Sequence, residues 1–258
     1  MLSIIKKVFP LHLRRAIWKI FFSKYIIKLE NLIFKSKPLY DIKLPKDADR
    51  YIDDFTKSLL RRNLYERCEL KALELLNFST YDFIDIGSSL GYIASKVSLQ
   101  NSNKKLILVE PDIDLLRFTE RIFEKQNQNS FRYYNNAIYY GDEEIFLEGH
   151  GKSLEKKITT TSINDSKINP ISLNKIISEN NIDKFNLLID AEGYSFDPLF
   201  HEMEVFVNCQ NLIIDEEFTS VYTQERVLNK LKELNFSIVF FEKCWDSFVI
   251  GAKKNKKV

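Results

Sequence analysis

The chain has 258 residues, enough for one α/β domain with an N-terminal addition. Its 45% hydrophobic and 29% charged residues exclude wholesale disorder. A net charge of +2 argues neither for nor against nucleic acid, and no nucleic-acid partner is expected.

Residues 1–35 form a stretch with eight basic residues and one acidic one, Glu30, with apolar side chains between them. Lys19, Lys24 and Lys28 interrupt every apolar run well short of the roughly 20 residues that a membrane-spanning helix needs. The broken apolar region, with no small-residue cleavage site after it, does not read as a signal peptide. Two readings stand. One is a helical cap on the domain with lysine stems snorkelling. The other is peripheral contact of residues 1–35 with the inner face of a membrane through Trp18, Phe21 and Phe22. Pro38 and Pro45 place the end of this segment near residue 45, with one domain over 46–258.

From Asp47 to Leu76 leucines recur at helical spacing. Then Tyr81–Ile86 reads as a buried strand ending at Gly87, and Tyr92–Gln100 as the helix after it. Lys105–Val109 is a second strand, closed by Glu110-Pro111, and Asp114–Gln126 its helix. Phe131–Asn136 is a third strand. Tyr139–Leu147 and Lys157–Ser162 read as hairpin additions around Gly149-His150-Gly151. A helix over Leu173–Glu179 precedes a continuous apolar strand, Phe185–Ile189, which ends at Asp190. A helix over 197–208, capped by Asp197 with Pro198 first, leads to a fifth strand, Asn211–Asp215. Gln224–Leu234 is helical, and Phe236–Phe241 with Ser247–Ile250 make a terminal strand pair. This alternation predicts a Rossmann-like, doubly wound sheet of seven mainly parallel strands with an antiparallel edge. Cys68, Cys209 and Cys244 share no close spacing, so no disulfide framework is suggested and a reduced, cytoplasmic setting is expected.

Ligands of such sheets bind at the carboxyl ends of the strands, where this chain places Asp85, Glu110, Asn136, Asp190 and Glu192. With only 7 glycines in the chain, against about 18 at average usage, Gly87 and Gly91 still fall four residues apart in one turn. A glycine at 87 lets backbone approach a ligand closely. Glu110 can accept both hydroxyls of a ribose. A dinucleotide site would need a second glycine where Ser89 stands, so Asp-x-Gly-x-x-x-Gly suits a nucleoside cofactor without a pyrophosphate. A nucleotide- or NAD-binding sugar-modifying enzyme is the alternative.

Three blocks carry a resemblance: Phe83-Ile84-Asp85-Ile86-Gly87-Ser88-Ser89-Leu90-Gly91-Tyr92, then Val109-Glu110-Pro111, then Leu187-Leu188-Ile189-Asp190-Ala191-Glu192-Gly193-Tyr194. Over residues 80–217 the chain resembles the FkbM family of methyltransferases. The resemblance implies the class I methyltransferase fold, S-adenosyl-L-methionine as donor, and O-methylation of a saccharide, such as a surface glycan or lipid-linked sugar, or of a small metabolite. It implies that Asp85, Gly87 and Gly91, with Ser88 and Tyr92 in the same block, hold the methionine portion and Glu110 the ribose. Asn136 and Ala137 would lie near the adenine, and Asp190 and Glu192 would face the methyl and the acceptor. At two positions the chain departs from the family: Asn174 follows Leu173 where an Asp is usual, and Ser195 stands where a Glu is usual. A catalytically silent, membrane-associated relative is therefore a further reading. Asp190, Glu192 and His150 are the candidates for taking a proton from an acceptor hydroxyl. No metal-ligand set is defined by spacing.

Overall fold

The computed structural model describes residues 23–33, 48–100, 104–125, 131–148, 156–161 and 166–255. The chain divides into two compact units, Met1–Tyr65 and Glu66–Val258, further along than the prolines near residue 45. In the first unit, α1 (Lys24–Ile33) and α2 (Asp54–Arg61) are joined through a 3-10 turn at Ala48–Arg50. Asp53 caps α2, accepting the Thr56 amide at 2.7 Å. Among the described residues no helix is long and apolar enough to cross a membrane. Trp18, Phe21 and Phe22 lie outside the described residues.

The second unit opens with α3 (Arg67–Leu75) and then alternates strands and helices. These are β1 (Asp82–Ile86), α4 (Tyr92–Gln100), β2 (Leu106–Val109), α5 (Ile113–Lys125) and β3 (Phe131–Tyr134). Four short strands follow: β4 (Asn136–Ile138), β5 (Ile145–Glu148), β6 (Lys157–Thr159) and β7 (Ser166–Ile171). The chain then makes α6 (Leu173–Asn180), β8 (Phe185–Ile189), α7 (Asp197–His201), β9 (Cys209–Glu216), α8 (Gln224–Glu233), β10 (Phe236–Cys244) and β11 (Ser247–Lys254). The main sheet has seven strands in the order β10-β11-β9-β8-β1-β2-β3. β9, β8, β1, β2 and β3 run parallel, while β11 is antiparallel to both its neighbours. This is a Rossmann-like, doubly wound sheet. The reversed strand is β11, second from the edge.

The central strands β1, β2 and β8 are buried almost throughout, as continuous apolar runs must be in a parallel sheet. α3 packs against β9, β10 and β11. Gly251 makes the close fit: a Cβ there would come within 3.2 Å of the Ala72 Cβ and 2.9 Å of the Phe240 Cβ.

Several details depart from the sequence reading. The third strand ends at Tyr134, and Asn135 turns the chain into a second sheet ordered β4-β7-β5-β6. The Nδ2 of Asn135 holds that turn, donating to the carbonyls of Pro111 at 2.7 Å and Glu110 at 3.2 Å. β7 escapes a pattern search because its Ser-Lys-Ile-Asn-Pro-Ile lacks period-two alternation and contains Pro170. The expected 197–208 helix breaks at Glu202, beyond which Met203–Val207 is a 3-10 turn. The Glu202 carboxylate is engaged elsewhere, accepting the Leu173 amide at 2.8 Å and the Tyr140 hydroxyl at 2.6 Å. Finally, Cys68 and Cys244, read from spacing as unlinked, are joined as a disulfide between the start of α3 and the end of β10. Their separation of 176 residues leaves no local signal.

Candidate active site

The turn from β1 to α4 is held from inside the protein. The Val109 carbonyl accepts the amides of Gly87 at 2.8 Å and Ser88 at 3.1 Å. The Glu110 carboxylate accepts the Ser89 amide at 2.9 Å, and the Ser88 carbonyl accepts the Gly91 amide at 2.6 Å. Gly87 has φ +77, and a Cβ there would lie 1.8 Å from the Asp190 carbonyl oxygen. Gly91 has φ +65, and a Cβ would lie 2.4 Å from Thr119 Cγ2 on α5. The protein's own packing thus already demands both glycines. Ser89 takes a left-handed φ of 46° without being glycine.

At the carboxyl end of β1 lies a small, partly open cavity. Asp85, Gly87, Ser88 and Asp190 line it, as do Glu66 and Glu69 from the start of α3. Residues of the first and third sequence blocks therefore meet there, with Glu110 bonded to the turn behind them, and α3 adds two carboxylates that no motif marks. Burial, then the charge of Glu110, pushes Asp85 up to about 7. Burial likewise lifts Glu110 to about 7, although the amides of Asp112 and Ser89 and the nearby Lys156 ammonium oppose the shift. Asp190 is raised well above the usual carboxylate range by loss of water, then by Asp215 and Glu69. Glu69 is raised by burial and by its hydrogen bond with Asp215. Ser88 is 3% exposed and its Oγ has no hydrogen-bond partner.

Other sequence-predicted residues fall elsewhere. Glu192, with φ 34°, is partly exposed, 3.7 Å from the Lys157 ammonium. Tyr92 opens α4 and its side chain is buried in the core. Asn136 lies on β4, its Nδ2 donating to the Asn169 carbonyl at 3.0 Å, and Ala137 packs with Ile145 and Ile168 in the small sheet's core. His150 lies outside the described residues.

The two departures from the family pattern have neighbouring carboxylates. Glu202 accepts the Asn174 amide at 3.2 Å, while Ser172 caps the same helix. Beside Ser195, Glu216 accepts the amides of Gly193 at 2.7 Å and Ser195 at 3.1 Å, and the Ser195 Oγ accepts the Ala191 amide at 2.8 Å. Asp215 and Glu216 end the apolar strand β9, so the rule that marked Asp190 marks them too. Glu69 has no such signal.

No protein-family model and no curated protein matches the chain. Among solved structures it is similar to M. capricolum TrmK in complex with S-adenosyl-homocysteine, at 13% identity and TM-score 0.47 over 72% of this chain and 67% of that one. It is also similar to magnesium protoporphyrin IX methyltransferase from Synechocystis PCC 6803 with bound S-adenosylmethionine, at 9% identity and TM-score 0.44 over 89% and 97% of the two chains.

Proposed function

We propose that this chain is an S-adenosyl-L-methionine-dependent methyltransferase that methylates a hydroxyl of a saccharide or small metabolite. The observation that carries this reading is the acidic lining of the cavity. Glu66, Glu69, Asp85 and Asp190 line it, and the amides of Gly87, Ser88, Ser89 and Gly91 are already bonded within the protein. A pyrophosphate needs free amides and repels carboxylates, so a dinucleotide suits this site poorly. A sulfonium donor with a free ammonium group suits it well.

The residues present fit that donor. Asp85 and the Gly87–Gly91 turn would hold the methionine portion, with the unpartnered Ser88 Oγ at hand. Each Glu110 oxygen accepts one backbone amide and keeps a lone pair for a ribose hydroxyl. When bound, the donor supplies a methyl group already activated by its positive sulfur. The protein's part is alignment, together with a base for the acceptor's proton. Asp190, whose proton affinity is raised, is suited to that work, with Glu192 at the rim. The saccharide acceptor rests on the family resemblance.

Isothermal titration with S-adenosylhomocysteine tests the reading. Binding is expected, weakened at least tenfold in Glu110→Ala, with none for NAD. Folded protein that binds NAD and not S-adenosylhomocysteine would overturn it. Methyl transfer from labelled donor to RNA rather than to a saccharide or metabolite would reassign the acceptor.

A further inference from the structure

We propose that Glu69, Asp190 and Asp215 hold a hard divalent cation, Mg²⁺ or Mn²⁺, beside the donor cavity. This deepens the methyltransferase reading, and rests on it only for the role of the ion.

One oxygen from each of the three carboxylates lies within 4.8 Å of the other two. In an octahedral shell with metal–oxygen distances of about 2.1 Å, neighbouring ligands sit about 3.0 Å apart and opposite ones about 4.2 Å. Small side-chain adjustments therefore close the three around one ion. The arrangement is built by the fold. Ile189 pairs with Ile214, so Asp190 and Asp215 follow side by side at the carboxyl ends of β8 and β9. Glu69 arrives from α3, which packs on β9.

A second observation is independent of the acidic cluster. Ser88, on a different strand end, is 97% buried by its 3% exposure, and its Oγ has no hydrogen-bond partner. It lines the same cavity as Glu69 and Asp190. The Oδ1 of Asp215 is likewise buried without a partner. A buried hydroxyl oxygen without a partner, lining the same cavity as two of the three carboxylates, offers a cation a neutral oxygen ligand beside them. The all-oxygen donor set selects magnesium or manganese over zinc or copper. An ion here would keep open positions towards the cavity, where an acceptor hydroxyl oxygen could enter as a further ligand; Asp190 would then act as a ligand and leave the acceptor's proton to Glu192.

The test uses full-length protein and MnCl₂ with no donor present, reading free Mn²⁺ by electron paramagnetic resonance. One Mn²⁺ per chain is expected, displaced by excess Mg²⁺. Glu69→Gln and Asp215→Asn should each weaken it at least tenfold, with folding checked by circular dichroism melts. Wild-type protein that is folded yet retains no Mn²⁺ overturns the proposal, whatever the variants do, as does equal retention in folded Glu69→Gln and Asp215→Asn. Separate titration with S-adenosylhomocysteine distinguishes the two readings. Donor binding without Mn²⁺ removes the cation site alone, and Mn²⁺ binding without donor removes the methyltransferase reading alone.

Discussion

The carboxylate of Glu110, at the end of β2, accepts the backbone amide of Ser89 at 2.9 Å, in the turn that follows β1. Its other oxygen accepts the Asp112 amide, also at 2.9 Å. One side chain thus fixes two loops. Glu110→Ala leaves both amides without acceptors, an expected cost of about 1–3 kcal/mol. Glu110→Gln keeps an acceptor for one of them and should cost less. Urea unfolding measures the stability difference, and S-adenosylhomocysteine titration the affinity. A Glu110→Ala variant as stable as wild type would show that the carboxylate does not hold the turn.

Two glycines in the site should respond very differently to alanine. At Gly87 an added Cβ would lie 1.8 Å from the Asp190 carbonyl, at φ +77. The obstacle is backbone, so Gly87→Ala must force β1 and β8 apart at their carboxyl ends. A loss of about 4 kcal/mol or more is expected, or no soluble protein. At Gly193, φ is +98 but nothing lies within 4 Å of the added Cβ. Gly193→Ala should cost only backbone strain, about 1–3 kcal/mol. Thermal melts of the pair decide it, and equal losses would contradict the packing argument.

How much of this site was legible in the sequence follows from how local each signal is. Asp85, Glu110 and Asp190 stand at the ends of apolar runs, and a parallel sheet brings such ends together, so their convergence could be read from pattern. Asp215 stands at the end of β9 by the same logic. Glu69 could not be read, because it sits in α3 before the first strand and reaches the site only through the docking of that helix on β9 to β11. Asn136 lies apart from the cavity for a different reason. Asn135 ends β3 by bonding two carbonyls, so the chain switches sheets one residue before the expected strand end. β7 hides its role because Pro170 and polar neighbours mask a strand that pairs on both sides.

The buried acids Asp85 and Glu110 predict an unusual pH dependence. Both are lifted to about 7, chiefly by burial, from their ordinary values of 3.8 and 4.5. The groups facing them include one another, Asp112 and Lys156. Between roughly pH 4 and 7 the folded protein binds more protons than the unfolded chain at these sites, so their contribution to stability falls as pH rises. It is complete below the unfolded values and lost as pH passes through about 7. Donor binding should run the other way, since ionised carboxylates accept hydrogen bonds and attract the cationic donor. S-adenosylhomocysteine affinity is expected to increase between pH 6 and 8, with the midpoint near 7. A flat affinity profile, or one that falls across this range, would contradict the assignment of these two acids to the donor.

The Cys68–Cys244 link ties the start of α3 to the end of β10, with Cα atoms 6.4 Å apart. Lys71 reinforces it, its ammonium 2.5 Å from a Glu242 carboxylate oxygen. The next residue after Cys68 is Glu69, so the link anchors the turn of helix that brings this carboxylate to the cavity. Closing a loop across 176 residues restricts the unfolded chain strongly. Reduction, or Cys244→Ser, should lower stability by about 2–5 kcal/mol. Thiol counting under denaturing conditions checks the pairing directly. Of the three cysteines, only Cys209 should react before reduction, and all three afterwards. Three reactive thiols in protein purified without reductant and denatured under acid quench would mean that packing alone holds α3 in place. In that case Cys244→Ser should leave the melting temperature almost unchanged.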